Sequence, residues 1–238
     1  MLIKKILINK ETNTKHYWSS GDLHTKDGII KESDIKNGDF ARTHLGKGFY
    51  VLPALFPDKT ERIKRGPAIM LPKDIGLIIA YTGIDAKSKI LDAGAGCGML
   101  AAHLALISKS VVSYEINKPF LKLAEENLKA LGVKVKLNNK DIYNGIDEKN
   151  LDLITLDLPT PWKVMPHAKN ALKPGAFLVS FLPNITQVQE LTASVGEDFI
   201  VDKIIEILER EWVVYSLIAR PKSQMIAHTG FLCFLRKI

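Results

Sequence analysis

Cysteine is almost absent from this chain: Cys97 and Cys233 are the only two, far apart and without metal-ligand spacing. That usage gives no basis for a disulfide framework or a cysteine-built metal site, and fits free thiols in a reducing cytoplasm. No apolar run reaches the length of a membrane span. The opening MLIKKILINK threads lysines among its apolar residues and shows no small-residue cleavage site after them. It reads as a strand rather than a signal peptide. Internal repeats and low-complexity segments are also missing. Acidic residues are scarce in one region only. Residues 1–66 hold 13 Lys/Arg against 8 Asp/Glu, whereas residues 67–238 hold 20 against 18. A basic first quarter on a nearly neutral remainder fits a polyanionic partner, or simply a solvated lysine-rich surface.

The residues present are enough for one large domain, or a medium one and a small one: 238 in all, 46% of them hydrophobic. Residues 1–66 are short apolar segments broken by turn signals (SSGD, KDG, KNGD, GKG) and predict a small β domain. Lys26-Asp27-Gly28 is a hairpin signal. The charged run Asp58–Pro67 reads as a linker that could also contact phosphates. Beyond it the pattern changes. A helix is expected after LPKD, with Pro72 in its first turn and Ile75, Ile78 and Ile79 on one face. Strands KILDAG, SVVSYE, VKVKL, LDLITLDL, AFLVSFL and HTGFLCFLRKI then alternate with helices at GMLAAHLALIS, PFLKLAEENLKALG, 163–172 and 184–195. Such alternation predicts a largely parallel sheet covered on both faces, an α/β fold.

The stretch LDAGAGCGML comes after a strand and opens a helix near Met99. Gly94 suits a tight turn, and Gly96, lacking a Cβ, lets a ligand approach the backbone. The helix start offers free N–H groups. The spacing is G-x-G-x-G; Met99 stands where a dinucleotide fingerprint has its last glycine. Asp92 precedes the loop, and Glu115 ends the next strand, where a carboxylate can take both ribose hydroxyls. This set resembles the S-adenosylmethionine loop of the class I methyltransferases; a nicotinamide enzyme is the alternative. Asp141, after the third strand, is a candidate for the adenine amino group or an ordinary turn residue. The cofactor set expected from this resemblance is Asp92, Gly94, Ala95, Gly96, Gly98, Met99, Leu100, Glu115, Asp141, Ile142 and Asp157.

The stretch LITLDLPTPWKV ends a hydrophobic strand in Asp157 and runs into Pro159, Pro161 and Trp162. Prolines cannot continue a ladder, so they stop the strand and stiffen the loop after it. Ligands in open α/β sheets bind beyond the carboxyl ends of strands at the switch point. This strand is expected beside the glycine-loop strand, which puts Asp157 at the cofactor. Trp162 reads first as a packing residue.

DLPTPW is longer than the D/N-P-P-Y/F/W loop of many nucleic-acid methyltransferases. With LPKD, LDAGAGCG, SYE, ALKPGAFLVSFLPNITQVQEL, REWVV and RPKSQMIAHTGFL, it resembles the tRNA adenine-N1 methyltransferase family over roughly residues 60–238. LPNITQV and HTGFL weigh most, because generic cofactor binding explains neither. That family methylates the T-loop adenine at tRNA position 58, and in archaeal members also position 57. The resemblance implies a class I, Rossmann-like, mostly parallel seven-stranded sheet with a small N-terminal β domain, S-adenosyl-L-methionine as methyl donor, tRNA as partner and a cytoplasmic homotetramer, with no metal and no membrane. Two positions depart from the family. Leu71 stands where members often carry a tyrosine able to stack on a base. Cys97 replaces a usual Ser or Thr in a loop whose backbone does most of the binding.

Adenine N1 carries an in-plane lone pair, so its methylation requires no protein nucleophile. The product ring is cationic, and a carboxylate near N6 would accept an amino proton and offset the charge. Asp157 is the expected catalytic residue. His228 and Thr229, taken to begin the last strand, are expected at the substrate face; a histidine hydrogen-bonded within the fold is the alternative for His228. Arg220, taken to lie in a loop before that strand, either holds a phosphate or is solvated. A same-fold methyltransferase acting on protein (isoaspartate type) or a small molecule, and a non-catalytic tRNA-binding partner, are the rival functions. Eukaryotic partners of the last kind lose the cofactor loop, whereas this chain keeps Asp92, Gly94, Gly96, Glu115 and Asp157.

Overall fold

The computed structural model describes residues 2–66 and 69–238, which form two compact units meeting between Lys64 and Arg65. Residue 1 of the opening strand-like segment and Pro67 of the expected linker lie outside the described residues.

The first unit is mostly β. Strands β1 (Lys5–Asn9), β2 (Lys15–Trp18), β5 (Phe40–Arg42) and β6 (Gly48–Pro53) form an antiparallel sheet ordered β2-β1-β6-β5. Between them lie the hairpin β3 (Leu23–Thr25) and β4 (Gly28–Ile30) and the helix α1 (Glu32–Asn37). The hairpin turns at the KDG signal, and Gly28 has φ +114°. Leu7, Trp18, Ile30, Ile35, Ala41, Phe49 and Val51 are the small core. The linker expected from Asp58 is partly replaced by a helix, α2 (Phe56–Thr60). Pro57 is pre-set for a first turn, and the Asp58 carboxylate accepts the Leu55 N–H at 3.0 Å. Lys15 then pairs with Asp58 and Glu61, both at 3.1 Å.

The second unit opens with α3 (Pro72–Thr82), which begins at LPKD and stops where Gly83 turns left-handed at φ +63°. Then come β7 (Lys89–Ala93), α4 (Met99–Ile107), β8 (Ser110–Tyr114), α5 (Lys118–Leu131), β9 (Lys136–Asn138) and β10 (Leu151–Leu156). After them are α6 (Met165–Ala171), β11 (Leu172–Leu182), α7 (Ile185–Ala193), β12 (Phe199–Glu206), the hairpin β13 (Trp212–Tyr215) and β14 (Ile218–Pro221), and β15 (Phe231–Lys237). Short 3₁₀ turns cover Ile142–Asn144 and Pro161–Val164.

Seven strands make one sheet in the order β12-β15-β11-β10-β7-β8-β9. All run parallel except β15, which is antiparallel to both its neighbours. Chain order reverses between β7 and β10, which places the switch point where the sequence placed it. Near-continuous burial along β7 and β10 results from helices covering both faces.

Two expectations about the C-terminal strands need correction. The last strand begins at Phe231, not His228. Gly230, just before it, passes so close to β11 that a Cβ there would stand 2.6 Å from the Phe181 ring. Arg220 lies in β14 and not in a loop. β12, β13 and β14 were not anticipated. β12 is an edge strand with Ile200, Val201 and Ile204 half-exposed, so its pattern lacks the alternation that burial imposes.

Candidate active site

Four neighbouring parallel strands deliver the expected residues to one edge of the sheet. β7 carries Asp92 and leads into the glycine loop; Glu115 comes after β8, Asp141 after β9 and Asp157 after β10.

The glycine loop is shaped by backbone demands. Gly94, Gly96 and Gly98 have φ of +89°, +54° and +82°. The N–H groups of Gly94 and Ala95 both reach the Tyr114 carbonyl, at 3.0 and 3.3 Å, which ties the loop to β8. A Cβ at Gly94 would lie 2.3 Å from the Asp157 carbonyl oxygen, so only glycine lets these two strand ends approach. A Cβ at Gly96 would meet nothing closer than the Gly94 carbonyl at 3.9 Å. That leaves open space beside a bare backbone at the N-terminus of α4, a position that could hold a ligand carboxylate. The buried amide of Asn127 holds the loop from beneath by donating to the Cys97 carbonyl at 2.8 Å.

Glu115 is buried, and its carboxylate braces the loop. Oε2 accepts the Gly96 N–H at 3.0 Å, and Oε1 accepts the Asn117 N–H at 2.8 Å. A carboxylate has about four acceptor positions, so two remain for a pair of ribose hydroxyls. Asp141 caps the 3₁₀ turn, accepting the Tyr143 N–H at 2.9 Å.

Asp92 does something other than face a ligand. It is 1% exposed, and both its oxygens are taken: Oδ1 by Thr155 at 2.8 Å and Oδ2 by Ser113 at 2.6 Å. These hydroxyls are its register partners on β10 and β8. Burial pushes its pKa up, against the two hydrogen bonds. Asp157, at the next strand's end, has a pKa pushed up to about 6, first by burial and then by the Asp92 charge. A carboxylate with that pKa changes protonation near neutrality, which suits a group handling a proton or a developing positive charge.

The proline-rich segment after Asp157 is held at three points. Thr160 donates to the Tyr143 hydroxyl at 2.9 Å, Gln187 of α7 donates to the Pro159 carbonyl at 3.0 Å, and Trp162 packs on the main core. LPNITQV thus acquires a role through Gln187. Sequence reasoning missed Ser113, Thr155, Asn127 and Gln187. The available signal was a polar residue inside an apolar strand, as Thr155 is within LDLITLDL.

Ile142, Ala95, Met99 and Leu100 are buried beside the loop and the 3₁₀ turn. Arg220 does not join the cluster. It is exposed on the β13–β14 hairpin and bonds to the Ser223 hydroxyl at 3.2 Å. His228 and Thr229 are engaged by the fold itself. His228 lies between the Glu206 carboxylate and the Pro183 carbonyl. Thr229 lies between Lys73 and Asp74 of α3. Among the described residues no three His, Cys, Asp or Glu side chains converge as a metal site, and no helix is long and apolar enough to cross a membrane.

Comparison with known proteins places this geometry. Residues 60–217 match the family model of the tRNA methyltransferase complex GCD14 subunit. The tRNA (adenine(57)-N(1)/adenine(58)-N(1))-methyltransferase TrmI of Methanocaldococcus jannaschii is 34% identical over 88% of this chain and 86% of its own. The tRNA (adenine(58)-N(1))-methyltransferase TrmI of Thermus thermophilus is 36% identical over 90% and 88%. Among solved structures, a SAM-dependent O-methyltransferase of Thermotoga maritima superposes with TM-score 0.90 at 31% identity, covering 99% of this chain and 93% of that one. The tRNA (m1A58) methyltransferase TrmI of Aquifex aeolicus superposes with TM-score 0.84 at 25% identity, covering 99% and 96%.

Proposed function

The chain belongs to the tRNA methyltransferase complex GCD14 subunit family, and from that premise we propose that it methylates N1 of a T-loop adenine in tRNA, at position 58, with position 57 as a second candidate. The observation that carries the reading is Asp157: a carboxylate at the switch point, against the glycine loop, with a segment braced on three sides directly after it. S-adenosyl-L-methionine, when bound, supplies a methyl group already activated on a sulfonium. The start of α4 would receive its carboxylate, passing the side-chain-free Gly96, while Glu115 would take its ribose and Asp141 its adenine. Asp157 would accept the N6 amino hydrogen of the target base and offset the positive charge that grows on the ring. Holding the base in line would supply much of the rate.

The T-loop adenine is folded into the tRNA elbow, so it must be extruded before reaction, a general requirement for chemistry on a base. The basic first unit is suited to gripping the backbone meanwhile. Neutralising Lys59, Arg62, Lys64 and Arg65 together should weaken tRNA binding and flatten its dependence on salt while leaving cofactor affinity intact. Binding titrations at several salt concentrations read this directly. An unchanged slope would leave the segment no role in RNA contact.

We also propose the homotetramer and a cytoplasmic location. The β13–β14 hairpin supports self-association: Leu217 is 100% exposed, Val214 72% and Trp212 58%. An exposed apolar hairpin of this kind is suited to association. Light scattering should give four times the chain mass, and a monomer would refute it.

The Thermotoga structure favours a second reading, methyl transfer to a hydroxyl, in which Asp157 would act as a base. Identifying the methylated nucleoside after incubation with tRNA separates the two.

A further inference from the structure

HTG, ahead of β15, is a motif that neither cofactor binding nor the proposed chemistry absorbs. Each of its residues fastens a different element. Gly230 permits the close pass over Phe181. Thr229 bonds Lys73 at 2.6 Å and Asp74 at 3.1 Å, and these two form an ion pair at 2.8 Å with side chains only 8% and 1% exposed. His228 spans a gap: Nδ1 is 2.6 Å from Glu206 Oε1 at the end of β12, and Nε2 is 2.7 Å from the Pro183 carbonyl at the end of β11.

Both partners of His228 are acceptors. A carbonyl oxygen carries no proton, and neither does an ionised carboxylate. A neutral imidazole has one N–H, so one of the two contacts would set a lone pair against an oxygen. Only the imidazolium satisfies both. Pro183 leads, through Asn184, into α7. There Asn184 donates to the Gln187 side-chain oxygen at 3.1 Å, and Gln187 in turn donates to the Pro159 carbonyl. Pro159 is two residues past Asp157.

We propose that His228 is a positioning residue for methyl transfer: as a doubly protonated imidazolium it fixes Pro183 to the end of β12, and through Gln187 it sets the segment that carries Asp157. The charges facing it are Glu206 from β12, which favours the cation, and Lys73 from α3, which opposes it and is itself paired with Asp74. The Pro183 carbonyl and then Glu206 raise the histidine pKa above its ordinary value. The clamp therefore holds below the raised pKa and is lost as pH rises through it.

The inference rests on the methyl-transfer reading for its rate measurement, and on the protein alone for its protonation. Nitrogen-detected NMR of the histidine rings, with His228 assigned by its loss in His228→Gln, should show both ring nitrogens protonated at neutral pH. Single-turnover methyl transfer should fall on the alkaline side at the same midpoint. His228→Gln should be slower at neutral pH by about 10- to 100-fold, as small misplacements near a reacting centre are, without that alkaline limb and with unchanged cofactor affinity. His228→Lys should move the limb into the lysine range. A single ring N–H at neutral pH overturns the proposal, as does a native limb surviving in His228→Gln. A native protein that methylates no tRNA at any pH overturns the methyl-transfer reading and the positioning role together. A protein active with a flat alkaline side overturns the positioning role alone.

Discussion

Asp157→Asn should slow the chemical step by about two orders of magnitude or more, the scale seen when a preorganised electrostatic group is lost. The substitution keeps the shape, and the amide can still offer an oxygen. What it cannot do is offset positive charge on the ring. Binding of tRNA should change little, because phosphate contacts dominate affinity. Single-turnover rates at saturating tRNA separate the two effects. The native protein should also show an acid limb. With the Asp157 pKa at about 6, the carboxylate form is lost as pH falls through that value, so kcat/KM should rise with pH through it. That limb should be absent in Asp157→Asn. A variant with a near-native rate would make the aspartate structural and leave the proline-braced segment without a purpose.

Glu115→Ala should weaken S-adenosylmethionine binding by about 1.5–3 kcal/mol, roughly 10- to 150-fold, if the ribose contact is charge-assisted. Two losses add here. The ribose hydroxyls lose their acceptor, and the Gly96 and Asn117 N–H groups lose theirs, which loosens the cradle itself. Glu115→Gln separates them, since an amide oxygen can keep one N–H bond while the charge is gone. Calorimetry on folded variants is the check, and unchanged affinity in both would remove Glu115 from the cofactor site.

The sheet and its switch point were legible because each core strand is a short apolar run closed by a polar or glycine signal. DAGAGCG and LDLPTPW announce their own ends. The edge of the sheet was not legible. β12 is covered on one side only, and the hairpin β13–β14 is exposed, so neither carries the alternation that burial writes into a strand. Within the site, acids at strand ends could be read one by one. Their division of labour could not. Asp92 and Asp157 look alike in sequence, yet two hydroxyls, of Ser113 and Thr155, hold the first, whereas burial and the Asp92 charge raise the pKa of the second. That difference depends on cross-strand register, which becomes definite only when β8, β7 and β10 are aligned. His228 shows the same limit. Its partners lie 22 and 45 residues away, so its neighbourhood in the chain says nothing about its role.

The most direct test is to incubate the purified protein with tRNA and methyl-labelled S-adenosylmethionine, then digest the RNA and identify the labelled nucleoside. The account predicts label in N1-methyladenosine, lost from transcripts whose T-loop adenines at positions 57 and 58 are replaced by other bases. Label on a ribose or other hydroxyl, or in N1-methyladenosine from another part of the tRNA, would contradict it.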